Sequence, residues 1–336
     1  MYISYAARTD VGRKRDHNED FVTDFMPTDE HDKKRSGNLF IVADGVGGAS
    51  QGERASKYAA ETVLYDYYNY PKQSPQERLS HLIKTAGNQI NTYAEEGERF
   101  MRMATTMVAA VILDDNLILA NVGDSRAYLI RDNVANQLTK DHSFVGEMVR
   151  DGLMTEEEAR VSKKKNRITR SLGGERDVRV DIFDGIKLAN GDKILLCSDG
   201  FSQYASRKKI ANLAQNGTAQ EIAEKMIAYA NQQGGSDNIS VILVKVSESP
   251  LNETVSMRGP IQRIPTQPVW EESDTDHGDE EKETQDDFLF GIGKKNAAIL
   301  GGAGVLFACF VFAVVFLFPR SKSPSGPPAS LPGAEA

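Results

Sequence analysis

Apolar positions along this chain follow two rhythms, and the changes between them mark out its parts. Leu39-Phe40-Ile41-Val42-Ala43 and Lys193-Ile194-Leu195-Leu196-Cys197 are short apolar runs that predict buried strands. Leu79, Leu82, Ile83, Ala86, Ile90, Tyr93 and Ala94 instead fall on one face at helical spacing. A second helix is predicted from Gly52 to about Asn69, stopped before Pro71. From 106 to 138 the character changes to short strands: Thr106–Leu113, Leu117–Val122, Ala127–Arg131 and Asn136–Leu138. They are separated by Asp114-Asp115-Asn116, Gly123-Asp124-Ser125 and Asp132-Asn133 turns, the pattern of an antiparallel meander. Helical patterns return at Ser143–Asp151, Thr155–Arg160, Arg207–Ala214 and Ala219–Gln232. Strands and helices thus come in blocks, which favours an α+β fold of antiparallel sheets covered by helices over a doubly wound parallel sheet.

The patterning ends near residue 247. Residues 248–293 are rich in Pro, Glu, Asp, Ser and Thr and read as a disordered acidic linker. Ala297–Phe318 then runs for 22 residues without a charge. As a helix it spans roughly 33 Å at about 1.5 Å per residue, matching the ~30 Å hydrocarbon core of a bilayer. A transmembrane helix is expected over 297–318, followed by a disordered tail, 319–336. Lys294 and Lys295 on one side and Arg320 and Lys322 on the other leave the positive-inside rule tied. Met1–Tyr5 shows no signal peptide, so the N-terminal part is expected in the cytoplasm of a single-pass cell-membrane protein.

Charge changes the picture in one respect. The formal net charge is −8, yet residues 271–287 carry ten acids and one Lys. The globular part is therefore near neutral and lacks the basic stripe of a nucleic-acid binder. The two cysteines, Cys197 and Cys309, allow neither a disulfide framework nor a zinc site and suit a reducing compartment.

The candidate chemistry lies at the strand boundaries. Asp44-Gly45, Asp199-Gly200 and Asp237-Asn238 each stand where an apolar strand ends or begins, and Asn18-Glu19-Asp20 lies near the N-terminus. A carboxylate there is held rigidly, and a neighbouring Gly lets backbone approach closely. Carboxylates converging from distant sequence repel unless a cation sits between them. An oxygen-only set suits Mg²⁺ or Mn²⁺.

Six motifs then occur in order: Arg15-x-x-Asn18-Glu19-Asp20, Val42-Ala43-Asp44-Gly45-Val46-Gly47-Gly48, Thr105-Thr106, Gly123-Asp124-Ser125-Arg126, Ser198-Asp199-Gly200 and Ser236-Asp237-Asn238. Over residues 1–247 the chain resembles the bacterial metal-dependent Ser/Thr protein phosphatases of the PPM, or type 2C, family. The resemblance implies a four-layer αββα sandwich of two antiparallel sheets flanked by helices. It also implies two Mn²⁺ or Mg²⁺ ions. Asp44 matches the carboxylate bridging both, and Gly45 supplies a carbonyl. Asp199 and Asp237 match ligands of one ion, and Glu19 and Asp20 match acids that hold the other. Asp124 matches the acid that, with Asp199, takes a third and weaker ion; its alternative is an ordinary turn residue.

Two such ions lower the pKa of a bridging water that attacks phosphorus in line. A fixed guanidinium should clamp the phosphate, and Arg15 is the candidate. Eukaryotic relatives have a His after the Asp-Gly, where this chain has Val46, so the general acid must be water or another group. His142 matches a family motif at the start of a flap, about 143–178, and reads as structural. Within the flap, Lys163-Lys164-Lys165 replaces the family's His-Pro segment and reads as a solvated loop or as a basic rim for acidic phosphopeptides. The expected partners are phosphorylated proteins, namely a Ser/Thr kinase and its substrates, with no nucleic acid. The alternatives are an inactive, membrane-tethered phosphoprotein-binding module and a phosphatase for anti-anti-sigma regulators.

Overall fold

Two antiparallel sheets form the centre of the computed structural model, which describes residues 1–47, 50–69, 73–96 and 103–249. The strands are β1 (Tyr2–Asp10), β2 (Asp20–Phe25), β3 (Asn38–Val46), β4 (Ala104–Thr105), β5 (Met107–Leu113), β6 (Asn116–Val122), β7 (Arg126–Arg131), β8 (Val134–Gln137), β9 (Asp181–Lys187), β10 (Lys193–Cys197) and β11 (Ile239–Ser247). The helices are α1 (Glu30–Ser36), α2 (Ser50–Asn69), α3 (Pro75–Glu96), α4 (Phe144–Arg150), α5 (Glu156–Val161), α6 (Asp199–Ser202), α7 (Arg207–Leu213) and α8 (Ala219–Gln232). One sheet runs β1-β11-β10-β7-β8, the other β2-β3-β5-β6-β9, with β4 paired to β3.

The apolar runs are continuous because both faces of the central strands are buried. Along β3, Phe40 and Val42 point into the layer between the sheets, while Leu39, Ile41 and Ala43 pack with α2 and α3. Along β10, Ile194 and Leu196 enter the inter-sheet layer, whereas Leu195 and Cys197 face α7 and α8. Strand alternation thus divides one run between two cores. The result is three apolar layers inside four layers of structure, in agreement with the expected sandwich.

The pattern left out β1, β2, β9 and α1. These carry mixed or polar sequences such as Asp181-Ile182-Phe183-Asp184-Gly185-Ile186-Lys187, an edge strand in which no residue is buried. Edge strands need no continuous apolar run. The predicted linker, membrane span and tail lie outside the described residues. Among the described residues no helix is long and apolar enough to cross a membrane.

Candidate active site

The strand ends carry the acids to one place. Asp20 opens β2 and pairs in register with Asp44, near the end of β3, so their side chains leave the same end of one sheet. Asp199 opens α6 one residue past the end of β10, and Asp237 precedes β11, which pairs with β10 through Cys197 and Val241. The sheets meet where Ser198 Oγ donates to Asp20 Oδ2 at 2.7 Å, and Ser198 Oγ in turn accepts from Ser240 N at 3.0 Å. Asp124 enters from the β6–β7 turn. The Asp44 carbonyl is fixed by Thr106 N at 2.8 Å and Thr105 Oγ1 at 2.9 Å, which gives the Thr-Thr motif its local reason.

Crowding shows in the acidities. Burial first, then Asp20, Asp199, Asp237 and Asp124, push the Asp44 carboxyl well above the usual range. Asp199 is raised well above it by burial and by Asp124, Asp237 and Asp20. Burial lifts Asp20 and Asp124 to about 7, although Ser198 and Ser240 hydrogen bonds favour the Asp20 carboxylate. Glu19 is raised by burial, with Arg15 pulling the other way. Such a set holds its negative charge unwillingly without a cation.

Arg15 stands at the rim, its side chain 46% exposed. Its Nε lies 3.0 Å from Asp237 Oδ1 and its Nη2 donates to Asp237 Oδ2 at 3.1 Å, a two-pronged contact. Burial works against its charge, but Asp237, Glu19 and Asp44 raise its pKa overall. A guanidinium has five N–H donors, so this contact leaves donors for a phosphate.

Three supports have roles that the motifs did not assign. Asn238 is buried; its Oδ1 accepts from Glu19 N at 2.8 Å, and its Nδ2 donates to Val11 O and His17 O at 3.0 and 2.8 Å. It therefore sets the loop that carries Arg15 and Glu19 together. Gly52 is the second: a Cβ there would lie 2.6 Å from Glu19 Oε1. A Cβ at Gly45 would in turn meet Gly52 O at 2.2 Å. The third is the Ser198–Ser240 pair. A Gly inside the first turn of a predicted helix was the one available signal for Gly52.

His142 is 3% exposed. Its Nδ1 accepts from Gly123 N at 3.0 Å, so Nε2 carries the proton and faces Asp181 Oδ2 at 3.2 Å. Asp181 also takes Arg170 Nη1 at 2.9 Å. The ring thus joins the flap to the Asp124 turn, a structural role. Of the three flap lysines only Lys165 lines the cavity beside the acids. Lys163 is exposed, and Lys164 Nζ lies over the Phe144 ring at 4.9 Å. The expected three-lysine rim therefore narrows to one residue.

Do the residues fit divalent ions? The donors are all oxygen, they come from both sheets, and Glu19 Oε1 is buried without a hydrogen-bond partner. All three observations suit hard cations. Among the described residues, the tight carboxylate–imidazole trio is Asp29, His31 and Asp32. There Asp29 merely caps α1, accepting from His31 N and Asp32 N.

Such a set of acids, delivered by both sheets of an antiparallel sandwich, suits a metal-dependent hydrolase. Residues 11–243 match the protein phosphatase 2C family, and the chain belongs to that family. It is a protein serine/threonine phosphatase. It is 37% identical to the serine/threonine phosphatase stp of Listeria innocua, over 71% of this chain and 94% of that protein. Its fold matches the S. agalactiae serine/threonine phosphatase at TM-score 0.66 and 34% identity, covering 73% of this chain and all of that one. It also matches the PstP catalytic domain solved with two manganese ions, at TM-score 0.61 and 32% identity, over 73% and 99% of the two chains.

Proposed function

We propose that the chain hydrolyses phosphoserine and phosphothreonine in proteins with two Mn²⁺ or Mg²⁺ ions. Asp44 would be shared between them, and the Gly45 carbonyl would join it. Asp199 and Asp237 would complete one ion's shell, and Glu19 and Asp20 would serve the other. Asp124 with Asp199 offers a third, weaker position. When bound, the ions supply a water of lowered pKa as the nucleophile and offset the charge of the phosphate.

The chain's own residues then divide the remaining work. Arg15 binds non-bridging phosphate oxygens, with Asp237 orienting its fork. Asn238 holds that loop against Glu19. Hydrolysis would join a water oxygen to phosphorus as the bond from phosphorus to the Ser or Thr oxygen breaks; the water would release a proton and the departing alcohol would take one up. Val46 cannot give that proton, so water or another group must deliver it. Residues 297–318 would anchor the enzyme in the cell membrane, with its catalytic part in the cytoplasm, close to a Ser/Thr kinase and that kinase's substrates.

The observation that carries this reading is the register pairing of Asp20 with Asp44 beside Ser198, which gathers acids of both sheets around one centre. Mn²⁺-dependent hydrolysis of p-nitrophenyl phosphate and a phosphothreonine peptide tests it. Turnover should vanish with chelator and in Asp44→Asn. Turnover that persists in both would overturn it. Phosphopeptide binding with no turnover at any Mn²⁺ concentration would instead favour the inactive binding module, for which no observation presently speaks.

A further inference from the structure

Beside the acid cluster lies a cavity of about 220 Å³ between the flap and the helices that follow β10. Its lining joins Asp124 and Asp199 to side chains of α4, α5, the 162–167 turn and the start of α7. That lining is rich in cations whose pairing is uneven. Arg126 is saturated: its Nε reaches both Asp141 oxygens at 3.0 Å, and its Nη1 donates to Tyr128 Oη at 3.1 Å. Glu156 takes Arg207 and, at 3.8 Å, Arg160. Asp141 and Glu156, the lining acids other than Asp124 and Asp199, are thereby spent.

Of the lining cations, Arg150, Lys165 and the exposed Lys140 make no ion pair among the described residues. Arg150 Nη1 donates only to the Asp141 backbone carbonyl, at 2.6 Å. Lys165 Nζ donates to Gln203 Oε1, a neutral amide, at 2.8 Å. Both come from the flap, both line the cavity, and Lys165 is half-buried. Lys165 also steadies the Asp199 carboxylate by its charge, and a half-buried ammonium whose one hydrogen-bond partner is a neutral amide keeps donors for an added anion. Its distance from the chemistry can be read from the fold. Gln203 N bonds the Asp199 carbonyl at 2.9 Å, so Lys165 is tied one helical turn beyond a metal-facing acid. One turn is about 5.4 Å, or roughly two residues of extended peptide at ~3.3 Å each.

We infer that Arg150 and Lys165 form a subsite for an anionic side chain of the substrate, a carboxylate or a second phosphoryl group, within about three residues of the phosphorylated Ser or Thr. This inference rests on the proposed phosphatase reading and names the substrate class that the same site prefers. Arg160 and Arg207 keep the surrounding field positive while Glu156 holds them in place. Val145, Val149 and Ala159 supply apolar wall for the side chain's stem.

Binding decides the matter without turnover. The full-length chain in mild detergent with Mn²⁺ would be titrated by fluorescence anisotropy with non-hydrolysable phosphonate peptides. These would carry Glu, a second phosphonate or Ala at each position within three residues of the phosphothreonine mimic. At least one Glu position should bind about tenfold tighter than Ala, as one charge-assisted contact allows. The gain should shrink as salt rises. Lys165→Met should bring the Glu-to-Ala ratio near one, and Arg150→Met, which also loses a backbone contact, should lower it. A larger gain from phosphonate than from Glu would identify the second phosphoryl as the ligand, and equal gains would identify the carboxylate. No position giving more than a twofold gain, or a ratio unchanged in Lys165→Met, would overturn the subsite. A flat binding series with hydrolysis intact removes the subsite alone, and an intact ratio with no hydrolysis of any phosphoester removes the phosphatase reading alone.

Discussion

Arg15 and Asp237 show how much one contact can do at the level of a residue. The Asp237 carboxylate grips two guanidinium donors, so the remaining donors point from a fixed base. Replacing Arg15 by Ala should cut kcat/KM for a phosphopeptide by about 10- to 100-fold, the worth of a charge-assisted contact of ~1.5–3 kcal/mol. Thermal stability should barely move, because the side chain is half exposed. Steady-state kinetics beside a melting curve would separate the two effects. Gly52 makes the complementary case. A Cβ 2.6 Å from Glu19 Oε1 and 2.9 Å from the Gly45 backbone carbon must shift both, so Gly52→Ala should raise the Mn²⁺ concentration for half-maximal activity severalfold. An unchanged Mn²⁺ titration would show that Glu19 yields without consequence.

The crowded acids also fix the direction of a pH effect. Asp20 and Asp124 rise from an ordinary value of 3.8 to about 7, and Asp44 and Asp199 rise well above it. Between those values the folded chain binds more protons than the unfolded chain. Metal-free stability contributed by these groups is therefore full at the acid end and lost as pH climbs through about 7. In chelator, Tm should fall from pH 5 to pH 8, and Asp44→Asn should make that fall shallower. Identical slopes in the two proteins would contradict this account.

At the level of elements, strands announced themselves when both faces were buried, and of the edge strands β1, β2, β8 and β9 only β8, following its Asp132-Asn133 turn, was anticipated. The run Leu39–Ala43 predicts β3 because Phe40 and Val42 serve one core and Ile41 and Ala43 another. β9 carries no such signal, since its residues are exposed or half-buried. The acids of the candidate site were legible because metal-type ligands sit at strand ends beside Gly or Asn. The supporting residues were not. Ser198, Ser240 and Asn238 act through hydrogen bonds between segments some 40 to 220 residues apart, which no local pattern encodes. Lys165 stood out in the sequence as part of a basic run, but that it shares a cavity with Arg150 follows only from how the flap folds. His142 fastens that flap. His142→Ala leaves Gly123 N buried without its acceptor, an expected cost of about 1–3 kcal/mol. Amide exchange across 143–180 should quicken in that variant, and unchanged protection would separate the ring from flap docking.

For the whole molecule, charge and anchorage are placed apart. The −9 stretch at 271–287 precedes the predicted span, while the globular part is near neutral. Deleting residues 297–318 should move the protein from the membrane fraction to the soluble one. Ending the chain near residue 250 tests a second possibility, that the acidic stretch competes with substrate for the cations of the cavity. Lower KM at low salt after truncation is the outcome expected of such competition, and identical kinetics would remove it.

The Ser198–Asp20 hydrogen bond has a mechanical side as well. It spans the seam between the sheets, with acids of both sheets on either side of it. Ions held there would act as a rivet through the two plates of the sandwich, and the rivet's tightness would report how well the plates are seated. By mass action, ligand at 100 times its dissociation constant adds about 2.7 kcal/mol to the folded state. The reverse follows: a substitution deep between the plates, such as Phe40→Ala, should loosen the ions as well as the fold. Poor activity in such a distant variant would then be recovered by excess Mn²⁺, which marks it as a seating defect rather than a chemical one.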